Sequence, residues 1–213
     1  MSVILQKWQH VGAGGLSAPI LPDGCRDLIL RDVPGRRPVW ELSVLQAEPL
    51  RASVTYGTRL TGFRLAPGAA VDEAILQDLS HDPLVAEGEI LSAVAGQTRA
   101  QECIDALQSA ASVTEAARSV GVAARSLQRV VVRETGFAPV FWQRLARARR
   151  AAVQVDRPLA DVAADCGFSD QAHMSREFRR WFGVSPRMLR GSLDLRAQIA
   201  QPALATGEQI SIR

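Results

Sequence analysis

The chain has 213 residues, 47% of them apolar and 22% charged, with a formal net charge of +3. That apolar share excludes general disorder. No run of eighteen apolar residues occurs, which excludes a membrane-spanning helix, and the length fits one large domain or two small ones.

The first ten residues, "MSVILQKWQH", place Lys7 after the apolar run rather than before it, so they lack the layout of a secretory signal. Four short apolar or alternating runs then read as strands, at 26–32, 39–46, 50–56 and 59–65. Turn signals separate them at Pro22-Asp23-Gly24, Pro34-Gly35, Tyr56-Gly57 and Pro67-Gly68. Spacings of about ten residues suit a small antiparallel sheet or partial barrel. From residue 69 the period becomes helical, over 69–79 and 84–96, with Gly96 as a stop. A further helix is expected over 98–110, with Thr98 as its N-cap and Glu102 in its first turn region. These readings predict a β-rich module over 1–95 with trailing helices, a helical domain over 98–191, and a tail over 194–213 with few anchors.

Charge divides along the same line. Residues 1–108 carry 9 basic and 13 acidic side chains, a net −4, whereas residues 109–191 carry 14 and 7, a net +7. A basic back half suits a polyanionic partner, although a charge run is also compatible with a solvated face.

The back half contains an internal repeat, between 114–139 and 159–186. Ala117 and Gly121 answer Ala163 and Gly167 at a spacing of 46. Arg129, Gly136 and Pro139 answer Arg176, Gly183 and Pro186 at 47, so the second copy carries one extra residue after its first glycine. Each copy reads as a short helix, a glycine able to take the left-handed conformation that ends a helix, and a longer helix. That is a helix-turn-helix. The two are expected at about 113–135 and 159–182, with one long helix over 139–155 between them, begun by Pro139. In the longer helices Arg125, Gln128 and Arg129 share one face, and Gln171, Ala172, Ser175 and Arg176 share the other copy's face. Arginine suits guanine edges, glutamine suits adenine, and alanine or serine can meet a thymine methyl.

The segments "LQRVVVRETGFAP", "RLARARRAA" and "LADVAADCGFSDQAHMSREFRRWFGVSP" resemble the AraC/XylS family of transcription regulators over about residues 98–191. The resemblance implies a bacterial, cytoplasmic protein that binds promoter DNA through two helix-turn-helix units and acts on RNA polymerase. It carries over Arg125, Gln128, Arg129, Gln171, Ala172, Ser175 and Arg176 as base readers. Arg133, Arg179, Arg180 and Arg187 are expected near phosphates. Val131 stands where the family commonly has phenylalanine, and no basic cluster surrounds Ala123 and Ala124. The stretches "LPDGCRDLILR" and "TGFRLAPGAA" look like a short front module of the family that resembles half of a cupin barrel. In the family such modules bind effectors or dimerise. The fold class expected is therefore α+β, a small antiparallel β module followed by an all-α domain.

Several chemical readings compete. Three scattered histidines (His10, His81, His173) with no HxH pair argue against a metal site or any cofactor. Cys25, Cys103 and Cys166 form no CxxC pair, which argues against zinc and disulfides and for a reducing cytoplasm. Cys25, beside Arg26, is either a reactive thiol or a packing residue. Cys166 reads as core, and His173 as solvated or near phosphate. Arg147, Arg149 and Arg150 either solvate the long helix or meet phosphate. Trp142 and Trp181 read as core residues. With no enzyme motif present, the alternative to a DNA-binding regulator is a ligand- or protein-binding sensor in which the front module carries the function.

Overall fold

The computed structural model describes residues 3–14, 19–94 and 98–205. The expected helix stop at Gly96 lies outside the described residues. Among the described residues six strands come first: β1 (Ile4–Val11), β2 (Pro19–Ile20), β3 (Arg26–Asp32), β4 (Val39–Leu42), β5 (Leu50–Arg51) and β6 (Arg59–Leu65). All pair antiparallel, as a four-stranded sheet in the order β1-β6-β3-β4 and a separate β2-β5 pair. β3 and β6 begin and end where their sequence runs do. The runs at 39–46 and 50–56 pair over only their first residues, and β1 was not anticipated as a strand.

Alternation places the sheet's core. Leu28 lies opposite Phe63 in the β3–β6 register. These two join Leu30, Trp40 and Leu65 in a buried cluster closed by Leu79, Ala86, Ile90 and Val94. On the opposite face Trp8 lies across Gly62, where a Cβ would come within 2.1 Å of Trp8 Cε2. Glycine is needed there because the indole takes the space. Trp8 Nε1 donates to Asp27 Oδ1 at 2.7 Å, so the ring is fixed.

The expected helix over 69–79 forms only a 3-10 turn, Glu73–Gln77, begun by the Asp72 carboxylate accepting from the Ala74 N–H. Then come α1 (Pro83–Ala93), α2 (Arg99–Ser109), α3 (Val113–Ser119), α4 (Ala124–Thr135), α5 (Pro139–Ala152), α6 (Leu159–Asp165), α7 (Gln171–Phe182), α8 (Pro186–Arg190) and α9 (Leu193–Ile199). Thr98 caps α2 as expected, in a reciprocal capping box with Gln101, and Glu102 lies in the first turn. α1 packs on the sheet, whereas α2 to α7 enclose a second cluster around Trp142, Leu145 and Trp181.

That second cluster is not purely helical in origin. Leu21 enters it from the front module, and Ile199 and Leu204 enter it from the chain's end. The expectation of a weakly held tail from residue 194 is therefore corrected as far as residue 205. Ser192 caps α9, and both Ile199 and Leu204 are buried.

Candidate nucleic-acid interface

The two repeats build the same turn. Gly121 and Gly167 both adopt left-handed φ, +70° and +76°. The N–H of Val122 donates to the Ala117 carbonyl, and that of Phe168 to the Ala163 carbonyl, each at 2.9 Å. These six-to-one bonds close the ends of α3 and α6 as in a Schellman motif. Ala117 and Ala163 are buried under the crossing helix, which their small side chains permit.

The extra residue in the second copy is used locally. Asp170 caps α7 by accepting from the His173 N–H at 2.6 Å, and Ser169 Oγ lies 3.0 Å from His173 Nδ1. His173 also meets Phe168 edge to face. Its imidazole thus braces the turn, a role neither of its sequence readings contained. α4 starts from Ala123 with no side-chain cap.

Both longer helices are amphipathic. α4 buries Leu127 and Val131 and exposes Arg125, Gln128 and Arg129. α7 buries Met174, Glu177, Phe178, Trp181 and Phe182. It exposes Gln171, Ala172 and Arg176, with Ser175 half-buried; these four and Arg179 line one open depression. Arg179, Arg180 and Arg187 are exposed, with the Arg180 guanidinium 5.1 Å over the Trp181 ring. Arg133 is exposed but paired with Glu134 at 2.7 Å, which partly neutralises it.

The arginines of the long helix correct both sequence readings. Arg149 is only 1% exposed. It donates to the carbonyls of Leu204 at 2.8 Å, Ile199 at 2.9 Å and Pro22 at 3.5 Å. Burial pulls its pKa down from the ordinary arginine value, with Asp23 opposing. Arg150 donates to the Gln108 carbonyl, while Gln143 donates to that of Ala110. Both hold α5 to the C-terminal end of α2. Arg147 donates to the Gly167 carbonyl at 3.1 Å and lies 5.0 Å over Phe168. On the same helix Arg144 forms a two-bond pair with Glu177 of α7, one bond at 3.1 Å, and the Trp181 indole donates to the same carboxylate at 3.0 Å. α5 is a hub whose cations point at protein.

Glu177 and Arg144 were absent from the sequence-derived site. Their signal was available: an acidic residue in a core position of an amphipathic helix, four before Trp181, requires a cation opposite.

The remaining chemistry is structural. Cys25, Cys103 and Cys166 are free and buried. Burial raises all three thiol pKa values, that of Cys25 furthest. Trp142 and Trp181 are fully buried. Among the described residues no cluster of histidine, cysteine or acidic side chains could hold a metal ion, and no helix is long and apolar enough to cross a membrane.

Residues 116–192 match a family model described as a helix-turn-helix domain. The chain is 36% identical over 83 residues to the HTH-type transcriptional activator RhaS of Klebsiella pneumoniae, covering 38% of this chain and 30% of that one. The chain thus spans less than a third of the length of the curated relatives it matches. A transcriptional regulator with an AraC-type DNA-binding domain from Chromobacterium violaceum is 30% identical, covering 48% of this chain and 92% of that one, with a TM-score of 0.37. The DNA-binding domain of AdpA, crystallised with a target DNA, is 27% identical over 47% of this chain and 91% of its own, also at 0.37. The class defined by the repeated turns and exposed helix faces is a double helix-turn-helix fold. The chain belongs to the AraC/XylS family of transcription regulators.

Proposed function

We propose that the chain is a sequence-specific transcription regulator that reads two successive major grooves of promoter DNA, one with α4 and one with α7. The observation that carries this is the duplication itself. Two turns with the same hydrogen bonds present two exposed polar helix faces, while α5 links the units. In this reading Arg125, Gln128 and Arg129 contact bases in one groove, and Gln171, Ala172, Ser175 and Arg176 in the other. Arg133, Arg179, Arg180 and Arg187 contact phosphates, so affinity falls steeply with salt while base choice rests on the reading faces. The protein works in the cytoplasm and acts on RNA polymerase. The front module takes a small effector or a second copy of the chain.

The test is Arg176→Ala, assayed on a duplex that the full chain has enriched from random sequence and on a scrambled duplex. The ratio of the two affinities is expected to fall by about 1–3 kcal/mol. An unchanged ratio rules out Arg176 as a base reader.

A further inference from the structure

The two reading helices are held by different means. Among the described residues, no α4 side chain forms a hydrogen bond or ion pair to another helix or strand. Arg133 pairs with its neighbour Glu134, and Thr135 bonds back to Val131 and to Phe137 just beyond the helix. α4 rests on Leu127 and Val131. α7 instead carries the carboxylate of Glu177, buried against α5 and held there by the Arg144 fork and the Trp181 indole. Phe141 of α5 meets Trp181 edge to face at 5.3 Å, which adds a ring contact at the same junction. The repeat's spacing of 47 puts Val130 of α4 at the position of Glu177, so the first unit has no such carboxylate.

We propose that Glu177 is a positioning residue for base reading, which pins α7 to the linker helix so that the second unit reads strictly and the first adapts. A carboxylate on a helix that enters a polyanion is repelled unless it is turned inward and neutralised. Glu177 is both. It lies one residue after Arg176 and two after Ser175, so fixing its rotation about the helix axis fixes theirs. A planar two-bond fork restrains rotation and translation together, which apolar packing does less sharply. With its base-facing side chains held before DNA arrives, α7 loses little freedom on binding, whereas α4 can shift to suit its groove.

The inference rests on the two-groove reading, and the experiment separates their failures. The full chain selects duplexes from random sequence, and Arg176→Ala identifies the half-site that α7 reads. Glu177→Gln is then compared with wild type on single-base variants of both half-sites. Gln keeps the shape and an acceptor for Trp181 but loses the charge. Arg144→Lys, which keeps the charge and loses the fork, is the second variant. Wild type is expected to discriminate more sharply at the α7 half-site. Both variants are expected to lose about tenfold in discrimination there, with the α4 half-site unchanged. A purely structural role lowers both half-sites together. Equal losses, or no loss at either, overturn the proposal. A wild-type selection that enriches no sequence overturns the underlying reading instead.

Discussion

Arg149 Nε donates to the Leu204 carbonyl at 2.8 Å, across 55 positions of the chain. This bond joins the middle of the linker helix to the chain's end. Its neighbours extend it to the front module, because the same guanidinium reaches Pro22. The adjacent loop is fixed in turn: Gly24, at φ +81°, has room for a Cβ only at 3.0 Å from Leu204 and 3.2 Å from Trp142. Asp23 lies 3.3 Å from Arg64 of β6 and takes part in the same buried charge cluster. The stretch "DGCRD" is therefore where the β module docks on the helical half.

Arg149→Met is expected to destabilise the fold by about 3 kcal/mol, since it leaves buried carbonyls of Leu204 and Ile199 without donors, at about 1–3 kcal/mol each. Arg149→Lys can restore one bond at most and should recover less than half. Urea unfolding followed by tryptophan fluorescence measures both. A loss below about 0.5 kcal/mol for Arg149→Met, in the range of surface substitutions, contradicts the clamp.

Acid should weaken the α5–α7 contact. Burial acts to raise the Glu177 pKa, but the bonds from Arg144 and Trp181 outweigh it and hold the carboxyl below its ordinary 4.5. The folded state thus binds this proton less readily than the unfolded chain. The stability it contributes is full above 4.5 and is lost as pH falls through the lower folded-state value. Glu177→Gln should flatten the stability–pH curve below that point and leave its shape near neutrality unchanged. An equally steep acid limb in the variant counts against the assignment.

The three thiols should be inert in the native protein. Burial raises the pKa of each, and the thiolate is the reactive form. An aromatic disulfide reagent near neutral pH should label none of them natively on the timescale that labels all in urea. Rapid native labelling of Cys25 would restore the reactive-thiol reading.

What could be read from sequence was local in origin. Gly121 and Gly167 mark turns wherever they occur, and Leu28, Leu30, Phe63 and Leu65 alternate because a pleated strand has period two. The exposed faces of α4 and α7 follow from the same kind of regularity. The rest depended on partners distant in the chain. Nothing in "RARR" says that carbonyls from residues 199 and 204 surround Arg149. β1 escaped notice because Lys7 and His10 interrupt its apolar pattern, while its pairing is supplied by β6. The helical period over 69–79 gave only one short turn, since helices that short depend on packing rather than propensity.

The central claim is that one chain reads two successive major grooves at once, with α5 setting the distance between the two readers. It is tested most directly by the spacing between half-sites. Five base pairs inserted between the half-sites of a selected duplex move them apart by about half a helical turn of DNA. The full chain should then lose at least about tenfold in affinity, and an insertion of about ten base pairs should not restore it, because α5 cannot stretch. Equal affinity for all three duplexes would contradict simultaneous two-groove reading by one chain.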